Sequence, residues 1–370
     1  MAGSVSKKIA QTADRDLSER VPFSFHGAAR LPLVDIENYN IEFRERRRFI
    51  GDRANKQALF DLVRKHRQLA RKNGRDPFGD IPDDKISKKF VTRVLRKGGH
   101  AAQGVVHAAI DEFADRLVKV VRRFLKLPEW KKVERIAVGG GTRAGRLGEF
   151  IIGRAQHILN EKKIRIDLRP IRSDPDEAGL LGAAYLVPSW ALAGYDGILA
   201  IDIGGTNIRA GVLELRIKKS RNLVRARVQQ SVIWEHADED PDRAEAVEEL
   251  VRMLKRMVRE AKRAKIRLAP FIGIGCPGRI RIDGAIDRGA QNLPGNWEAD
   301  RFNLPLRLRQ DVCIVPGLET VVLMHNDAVV QGLSELPRMQ DVTDWAILTI
   351  GTGLGNAKFT NRWPRRKRKV

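Results

Sequence analysis

The sequence predicts an α/β protein made of two lobes. Its 370 residues exceed what one hydrophobic core usually organises. Short apolar strands alternate with amphipathic helices, which is the pattern of α/β folds. Three of the strands run into glycine-rich turns, at Gly139–Gly141, Gly204–Gly205 and Gly351–Gly355. Such turns let backbone N–H groups approach an anion, so together they indicate a polyphosphate site, although each alone could be a simple tight turn.

Helices are predicted where apolar residues recur every three or four positions. The acidic residues that open one of these segments suit the positive end of a helix dipole. The predicted helices cover Lys56 to Lys72, AAQGVVHAAIDEFADRLVKVVRRFLKL, LGEFIIGRAQHILNE, DEAGLLGAAYL, Asp240 to Lys265 and AVVQGLSEL.

Strands are predicted in short apolar runs that end at turn residues. They lie in VERIAVGGG, in IRIDLRPI, on both sides of the glycines in GILAIDIGGTNIRAGVLEL, in APFIGIGC, in VVLMH and in WAILTI. The G-x-G-x-x-G spelled by Gly273, Gly275 and Gly278 is rejected as a dinucleotide fingerprint. That fingerprint needs a helix at the turn, whereas Pro277 and a predicted hairpin follow here. The strand and helix around Gly139 remain the alternative dinucleotide candidate.

Charge and cysteine content narrow the class of protein. The net charge of +23 can attract nucleic acid, anionic lipid or phosphate-bearing substrates. The basic runs RERRRF, RKHRQLARKNGR and RRKRKV carry no nucleic-acid recognition signature, so they predict solvated surface and only non-specific nucleic-acid binding. Cys276 and Cys313 are far apart in sequence, which favours a reducing compartment, hence the cytoplasm. No apolar run reaches the roughly 18 residues of a membrane span, so no membrane contact is expected.

Several motifs resemble those of one family. DIGGTNIRAGV resembles the first phosphate-binding motif of the actin, hexokinase and Hsp70 superfamily, and specifically of the ROK family of bacterial sugar kinases and sugar-responsive repressors. IGIGCPGRIRIDGAI with QNLPGNW resembles the family signature, HNDAVVQGLSE its catalytic segment, TIGTGLGNA its second phosphate motif and VGGG its adenosine motif. The resemblance implies a two-lobed actin-like ATPase fold, ribonuclease H-like, with a cleft between the lobes.

The resemblance implies one catalytic carboxylate and one that holds Mg²⁺. Asp327 would act as the general base that accepts the proton of a sugar hydroxyl, because phosphoryl transfer to that hydroxyl needs a carboxylate within hydrogen-bond reach. Its structural alternative is the N-cap of the helix that begins at Ala328. Asp202, at a strand end, would hold Mg²⁺ through water, and its alternative is a turn-capping carboxylate.

The remaining site residues are implied by the same motifs. Two asparagines would hydrogen-bond the sugar hydroxyls, or else stabilise turns: Asn292 and Asn326. The residues implied to bind ATP are Gly204, Gly205, Thr206, Asn207, Gly351, Thr352, Gly353, Gly139, Gly140 and Gly141. The implied function is that of an ATP-dependent, glucokinase-like sugar kinase. The alternative is a non-catalytic sugar- or nucleotide-binding regulator. The expected partners are a small-molecule sugar and, in a homodimer, a second copy of the chain.

The chain departs from the family in one segment. The family follows its second phosphate motif with a Glu-Gly-His sugar-binding segment and a cysteine-rich zinc loop. Here FHGAARLP loosely resembles that segment but has no clear Glu-Gly-His and no cysteine, so no zinc site is expected. His26 and Glu37 are the candidates for substitute sugar contacts.

The order of the motifs predicts a circular permutation. VGGG and DEAGLLGAAYL precede DIGGTN here, whereas in the family they lie near the C-terminus. Permutation is tolerated when the old termini lie close together. It requires Asn361 to lie beside a strand that begins near Val21. The competing accounts are a tandem of incomplete domains and a swapped dimer. The predicted parts are a disordered basic N-terminus (1–20), a large lobe (21–175 plus 325–362), a small lobe (176–324) and a basic tail (363–370).

Overall fold

The computed structural model describes residues 25–45, 48–74, 76–141, 145–220 and 222–362. The predictions for 1–20 and 363–370 lie outside these residues. The strands are β1 (Val34–Tyr39), β2 (Arg44–Glu45), β3 (Arg48–Phe49), β4 (Arg135–Gly139), β5 (Asp167–Pro170), β6 (Gly197–Ile203), β7 (Ile208–Glu214), β8 (Arg227–Trp234), β9 (Leu268–Cys276), β10 (Arg279–Ile280), β11 (Ile286–Arg288), β12 (Val321–Asn326), β13 (Asp344–Ile350) and β14 (Leu354–Asn361). The helices are α1 (Lys56–Lys72), α2 (Lys88–Lys97), α3 (His100–Phe124), α4 (Arg146–Glu161), α5 (Ala178–Ala183), α6 (Arg243–Arg263), α7 (Leu304–Asp311) and α8 (Asp327–Leu333).

Side-chain caps fix where several helices begin. The Asn55 side chain accepts a hydrogen bond from the Ala58 amide at 2.8 Å and starts α1 at the predicted position. Asp242 and Glu245 form a reciprocal capping box at the start of α6. Both arrangements satisfy amide donors that the first helical turn leaves unpaired. All six predicted helices are confirmed, but α5 covers only part of DEAGLLGAAYL, and α2 and α7 were not predicted. None of the described helices is long and apolar enough to cross a membrane.

The chain divides into two compact units. Among the described residues, the first contains 25–36 and 179–337, and the second contains 37–178 and 338–362. The predicted lobes place residues 25–36 and 325–337 with the second unit, whereas both segments group with the first. For residues 325–337 the reason is that β12 pairs with β9 along its whole length, which ties Asn326 and α8 to the first sheet.

The sheet of the first unit has the order β12-β9-β6-β7-β8. β6, β9 and β12 are parallel, and β7 and β8 are antiparallel to their neighbours. α6 packs on the sheet through buried apolar residues that include Leu250, Leu254 and Met257. The hairpin β10–β11 follows β9, so no helix begins at the G-x-G-x-x-G turn and its rejection as a dinucleotide fingerprint is confirmed.

The sheet of the second unit has the order β1-β14-β13-β4-β5. β13, β4 and β5 are parallel, and β14 is antiparallel to β13. β1 lies beside β14 and runs antiparallel to it. The Asn40 amide donates to the Asn356 carbonyl at 3.0 Å, and Thr360, further along β14, donates to Oε1 of the earlier residue Glu37 at 3.1 Å. The core of this unit lies between the sheet and helices α1 to α4.

The two sheets share one topology. β6, β7, β8, β9 and β12 of the first sheet occupy the same places as β13, β14, β1, β4 and β5 of the second. In the first sheet the matching strands follow one another along the chain. In the second sheet the same order requires β14, the last described strand, to be followed by β1, the first. This agrees with the predicted permutation, although the strand beside Asn361 begins at Val34 and not near Val21. One chain completes both sheets, so neither a tandem nor a swapped dimer is required. The α/β fold class is confirmed.

One basic run is not the solvated surface that its composition predicts. Arg67, in RKHRQLARKNGR, is fully buried in the second unit. Its guanidinium binds Asp76 at 2.7 Å and Asp83 at 2.6 Å. The neighbouring Arg71 also binds Asp76. A buried charge needs such partners, so part of the positive charge is structural.

Helices α5 and α8 approach closely within the first unit. A methyl group on Gly182 of α5 would overlap the carbonyl of Val330 in α8. The backbone approach therefore depends on the missing side chain.

Gly182→Ala is expected to lower the free energy of unfolding by about 1–3 kcal/mol, because overpacking forces the two helices apart. Gly153, on α4, is the matched control, since nothing lies within 4 Å of a methyl group placed there. Gly153→Ala should raise the free energy of unfolding by about 0.5–1 kcal/mol. Thermal and urea unfolding measure both variants. Equal stability of the Gly182→Ala and wild-type proteins would contradict the close crossing.

Candidate functional site

Three parallel strands end at one edge of the first sheet and bring the candidate catalytic residues together. β6 ends one residue after Asp202, β9 ends at Cys276, and β12 ends at Asn326. Asp202 lies opposite Gly275, and Asn326 lies opposite Cys276. The carboxyl ends of parallel strands are where α/β sheets bind ligands. Asp327 follows β12 directly, so it projects from the same edge as Asp202.

The N-cap of α8 is Asn326 and not Asp327. The Asn326 side-chain oxygen accepts from the amides of Ala328 at 3.0 Å and Val329 at 3.3 Å. Its Nδ2 donates to the Gly278 carbonyl at 2.9 Å. These bonds give the buried Asn326 a structural role beside the predicted sugar contact. Because Asn326 takes the capping role, the Asp327 carboxylate is not needed for it.

The Asp327 carboxyl is held in an environment that favours its protonated form. Burial, and after it the negative charge of Asp202, raises its pKa from the ordinary 3.8 to about 6. Hydrogen bonds from the amide of Ala328, its own amide and the Asn326 side chain oppose the rise. A carboxylate with a pKa near the working pH is suited to accept a proton.

A cationic side chain and a glycine lie next to the Asp202 carboxylate. Arg209 lies opposite Asp202 in the β6–β7 pairing, and its Nη1 is 3.8 Å from Asp202 Oδ2. Gly179, at the start of α5, lies so close that a methyl group there would overlap the Asp202 carboxylate. The cation offsets the charge of the carboxylate, and the glycine leaves it room.

Cys276 adds a buried thiol to this edge. Burial first, and then the charges of Asp327 and Asp202, raises its pKa well above the ordinary value. The thiol therefore stays neutral and unreactive, and contributes packing without charge. Both cysteines are free, with Cys276 buried and Cys313 exposed.

The turn between β6 and β7, residues 204–207, is called the phosphate loop because its residues are predicted to bind phosphate. It closes through a hydrogen bond from the Gly204 amide to the Asn207 carbonyl at 2.9 Å. A second loop, residues 292–297, is called the sugar-side loop because it contains the predicted sugar contact Asn292. A methyl group on Gly205 would lie 3.0 Å from the Asn292 Cβ, so the two loops touch. The Asn292 side chain is exposed, which leaves it accessible to a ligand.

The two substitute sugar contacts have different surroundings. His26 Nδ1 accepts from the Met324 amide at 3.1 Å, and burial lowers its pKa to about 4. His26 is therefore neutral and carries its proton on Nε2. Glu37 belongs to the second unit, where it lies 3.8 Å from the buried Lys358 Nζ. His26 belongs to the first unit.

The second unit carries the other two glycine loops side by side. β4 and β13 are parallel neighbours, and Gly139 lies opposite Thr349, just before the turn of residues 351–353. In that turn the Gly351 amide donates to the Gly353 carbonyl at 2.9 Å. Lys88 donates to the Gly141 carbonyl at 2.5 Å. Gly141 and Gly353 have open space where a side chain would stand, which suits close approach of a phosphate or ribose.

The residues present fit a magnesium ion that arrives with its nucleotide. Among the described residues, no three His, Cys, Asp or Glu side chains are grouped to hold a metal. Mg²⁺ is usually bound through one or two carboxylates together with water and substrate phosphates. The Asp202 carboxylate at the sheet edge fits this kind of binding and would hold the hydrated ion.

Sequence reasoning missed Arg209, Gly179 and also His236, whose Nε2 lies 2.9 Å from the Gly204 carbonyl oxygen. The Arg209 position could have been predicted, because a four-residue loop between paired strands places residues 202 and 209 opposite each other. Gly179 and His236 contact the site from elements that are distant in sequence, so no local sequence pattern predicts their positions.

Comparisons with known proteins agree with the motifs. The model of the ROK family matches residues 198–366. A Listeria monocytogenes protein described as a candidate N-acetylmannosamine kinase is 28% identical over 45% of this chain and 48% of its own, with a TM-score of 0.33. A ROK hexokinase from Thermus thermophilus is 23% identical over 43% and 45%, with a TM-score of 0.30. The chain spans about half the length of these solved structures. No curated protein sequence matches it.

The matched range begins within β6 and continues past the end of β14. It therefore contains the phosphate loop, the sugar-side loop, Asp327 and the turn of residues 351–353. Over residues 198–366 this chain matches the ROK family, as its sequence motifs predicted.

Proposed function

We propose that this protein is an ATP-dependent sugar kinase that transfers the γ-phosphoryl group to a sugar hydroxyl. The observation that carries the proposal is the Asp327 carboxyl, which lies at the strand edge with Asp202 and has a pKa raised to about 6. Such a group is mostly ionised near neutral pH and can take a proton during the reaction. The ROK-family match supports the same assignment.

In the proposed reaction the sugar hydroxyl oxygen attacks the γ-phosphorus of ATP. The hydroxyl proton passes to the Asp327 carboxylate, the bond from phosphorus to the β-phosphate oxygen breaks, and a sugar phosphate and ADP leave. Asn292 would orient the sugar by hydrogen bonds from its exposed side chain. Asn326 would act mainly by holding α8, and with it Asp327, in place.

Both units would contribute residues to the nucleotide. The first unit would supply the amides and side chains of the phosphate loop, Gly204, Gly205, Thr206 and Asn207. The second would supply Gly351, Thr352 and Gly353 for the phosphates and Gly139, Gly140 and Gly141 for the adenosine. Bound Mg²⁺ would neutralise phosphate charge as the leaving group departs. Asp202 would hold its hydration shell, with Arg209 limiting the charge at that edge.

The second candidate is a non-catalytic, sugar- or nucleotide-binding regulator. A specific observation favours it. In HGAARLPLV, the segment that resembles the sugar-binding Glu-Gly-His region, Leu31 and Val34 are buried apolar residues. The segment also contains no Glu-Gly-His. Binding of a sugar without ADP release from ATP would support this candidate.

Asp327→Asn is expected to lower kcat by about 10²- to 10⁴-fold, the usual range for a general base, with nucleotide affinity nearly unchanged. ADP release is measured against a panel of hexoses and related sugars, and nucleotide affinity by calorimetry. Asp311→Asn is the control, because Asp311 is a partly exposed carboxylate of the same unit that pairs with Arg307 on the same helix. Full activity of Asp327→Asn would remove Asp327 from the mechanism. No ADP release with any sugar would refute the kinase.

The pH dependence of kcat/KM should show a rising limb with an apparent pKa near 6, the value raised by burial and Asp202. Below that pH the free enzyme carries a protonated Asp327, which cannot accept a proton, so kcat/KM should fall about tenfold per pH unit. Above it the rate should reach a plateau. A limb near pH 4 would mean that the carboxyl is not perturbed.

A further inference from the structure

The connection between β8 and α6 contacts both substrate loops of the first unit. We propose that this connection, residues 236–243, is a brace that holds the phosphate loop and the sugar-side loop in one fixed arrangement and thereby couples nucleotide binding to sugar binding. His236 and Arg243 are its two positioning residues. The coupling rests on the proposed function, whereas the bracing of the loops does not.

His236 fixes the phosphate-loop end of the brace. Its side chain is buried, and its Nε2 lies 2.9 Å from the Gly204 carbonyl oxygen. A carbonyl can only accept, so Nε2 must carry the hydrogen. The next residue, Ala237, donates its amide to the Thr206 carbonyl at 3.3 Å. Two carbonyls of the phosphate loop are thus bound by groups outside the loop.

Arg243 fixes the sugar-side end of the brace. Its guanidinium donates to the carbonyl of Asn296 and lies over the Phe302 ring, 4.6 Å from the ring centroid. Gly295 has a φ of +68° and approaches so closely that a methyl group there would lie 3.0 Å from the Arg243 backbone nitrogen. The sugar-side loop therefore rests directly on the first residue of α6.

The two ends are joined by a short segment with its own hydrogen bonds. Asp238 donates its amide to Glu235, and Asp240 donates to His236, so the turn after His236 is closed. The capping box of Asp242 and Glu245 anchors the other end to α6, whose apolar face is buried. This segment therefore joins the two loops by a second route, beside their direct contact at Gly205 and Asn292.

His236→Leu tests the brace, because leucine fills a similar volume without a donor. His236→Gln is its rescue variant, since the glutamine amide can place an N–H near the Nε2 position. Amide hydrogen exchange of the substrate-free protein should become about tenfold or more faster at 204–207 and 292–297 in His236→Leu, as expected for the loss of one buried hydrogen bond. His236→Gln should stay near wild type. Arg243→Ala should loosen 292–297 in the same way.

Two controls separate bracing from general loss of stability. Leu254→Ala removes a buried α6 side chain that belongs to the same core, and its faster exchange should spread over the strands of the first sheet. Arg252→Ala removes an exposed arginine of α6 that pairs with Glu249, and should change neither loop. Exchange in His236→Leu that is confined to 204–207, or spread as in Leu254→Ala, would overturn the brace.

The coupling is measured on the active enzyme. In wild type, saturating sugar should lower the KM for ATP, and His236→Leu should reduce that effect. His236→Gln should restore the effect. An unchanged coupling in His236→Leu would refute this part of the proposal. Absence of any kinase activity would refute the proposed function alone, because hydrogen exchange decides the brace without substrate.

Discussion

The parallel pairing of β6, β9 and β12 is the constraint on which the candidate site depends. Strands that run in the same direction end at the same edge, and their register sets which residues meet there. With Asp202 opposite Gly275 and Asn326 opposite Cys276, the two carboxylates belong to one edge without any loop rearrangement. A shift of one residue in either pairing would turn these side chains to the other face of the sheet.

Two carboxylates at one buried edge disfavour each other's ionised form, and neighbouring groups reduce this effect. Burial and the charge of Asp202 raise the pKa of Asp327 to about 6. Arg209 lies within 3.8 Å of Asp202, and the Cys276 thiol stays neutral. Asn326 takes the helix-capping role that an aspartate often fills. The result is one carboxylate paired with a cation and a second one poised to exchange a proton.

The sequence was most informative where structure is local. The bounds of α1 follow from its periodicity and its Asn55 cap, and the hairpin at Asp283–Gly284 follows from its turn residues. The motif order predicted the permuted sheet, because each motif belongs to one strand and its turn. The sequence was less informative where distant elements meet. Arg67 can be buried because it binds carboxylates 9 and 16 residues further along the chain. Residues 325–337 group with the first unit because β12 pairs with β9.

The central claim is that Asp202 and Asp327 form an electrostatically coupled pair within the first unit. The most direct test is NMR titration of the side-chain carboxyls in protein labelled with ¹³C-aspartate. One signal, absent in Asp327→Asn, should titrate near pH 6, and Asp202→Asn should shift it toward the ordinary value of 3.8. Titration of the Asp327 signal near 3.8 in the wild-type protein, or a value that Asp202→Asn leaves unchanged, would contradict the account.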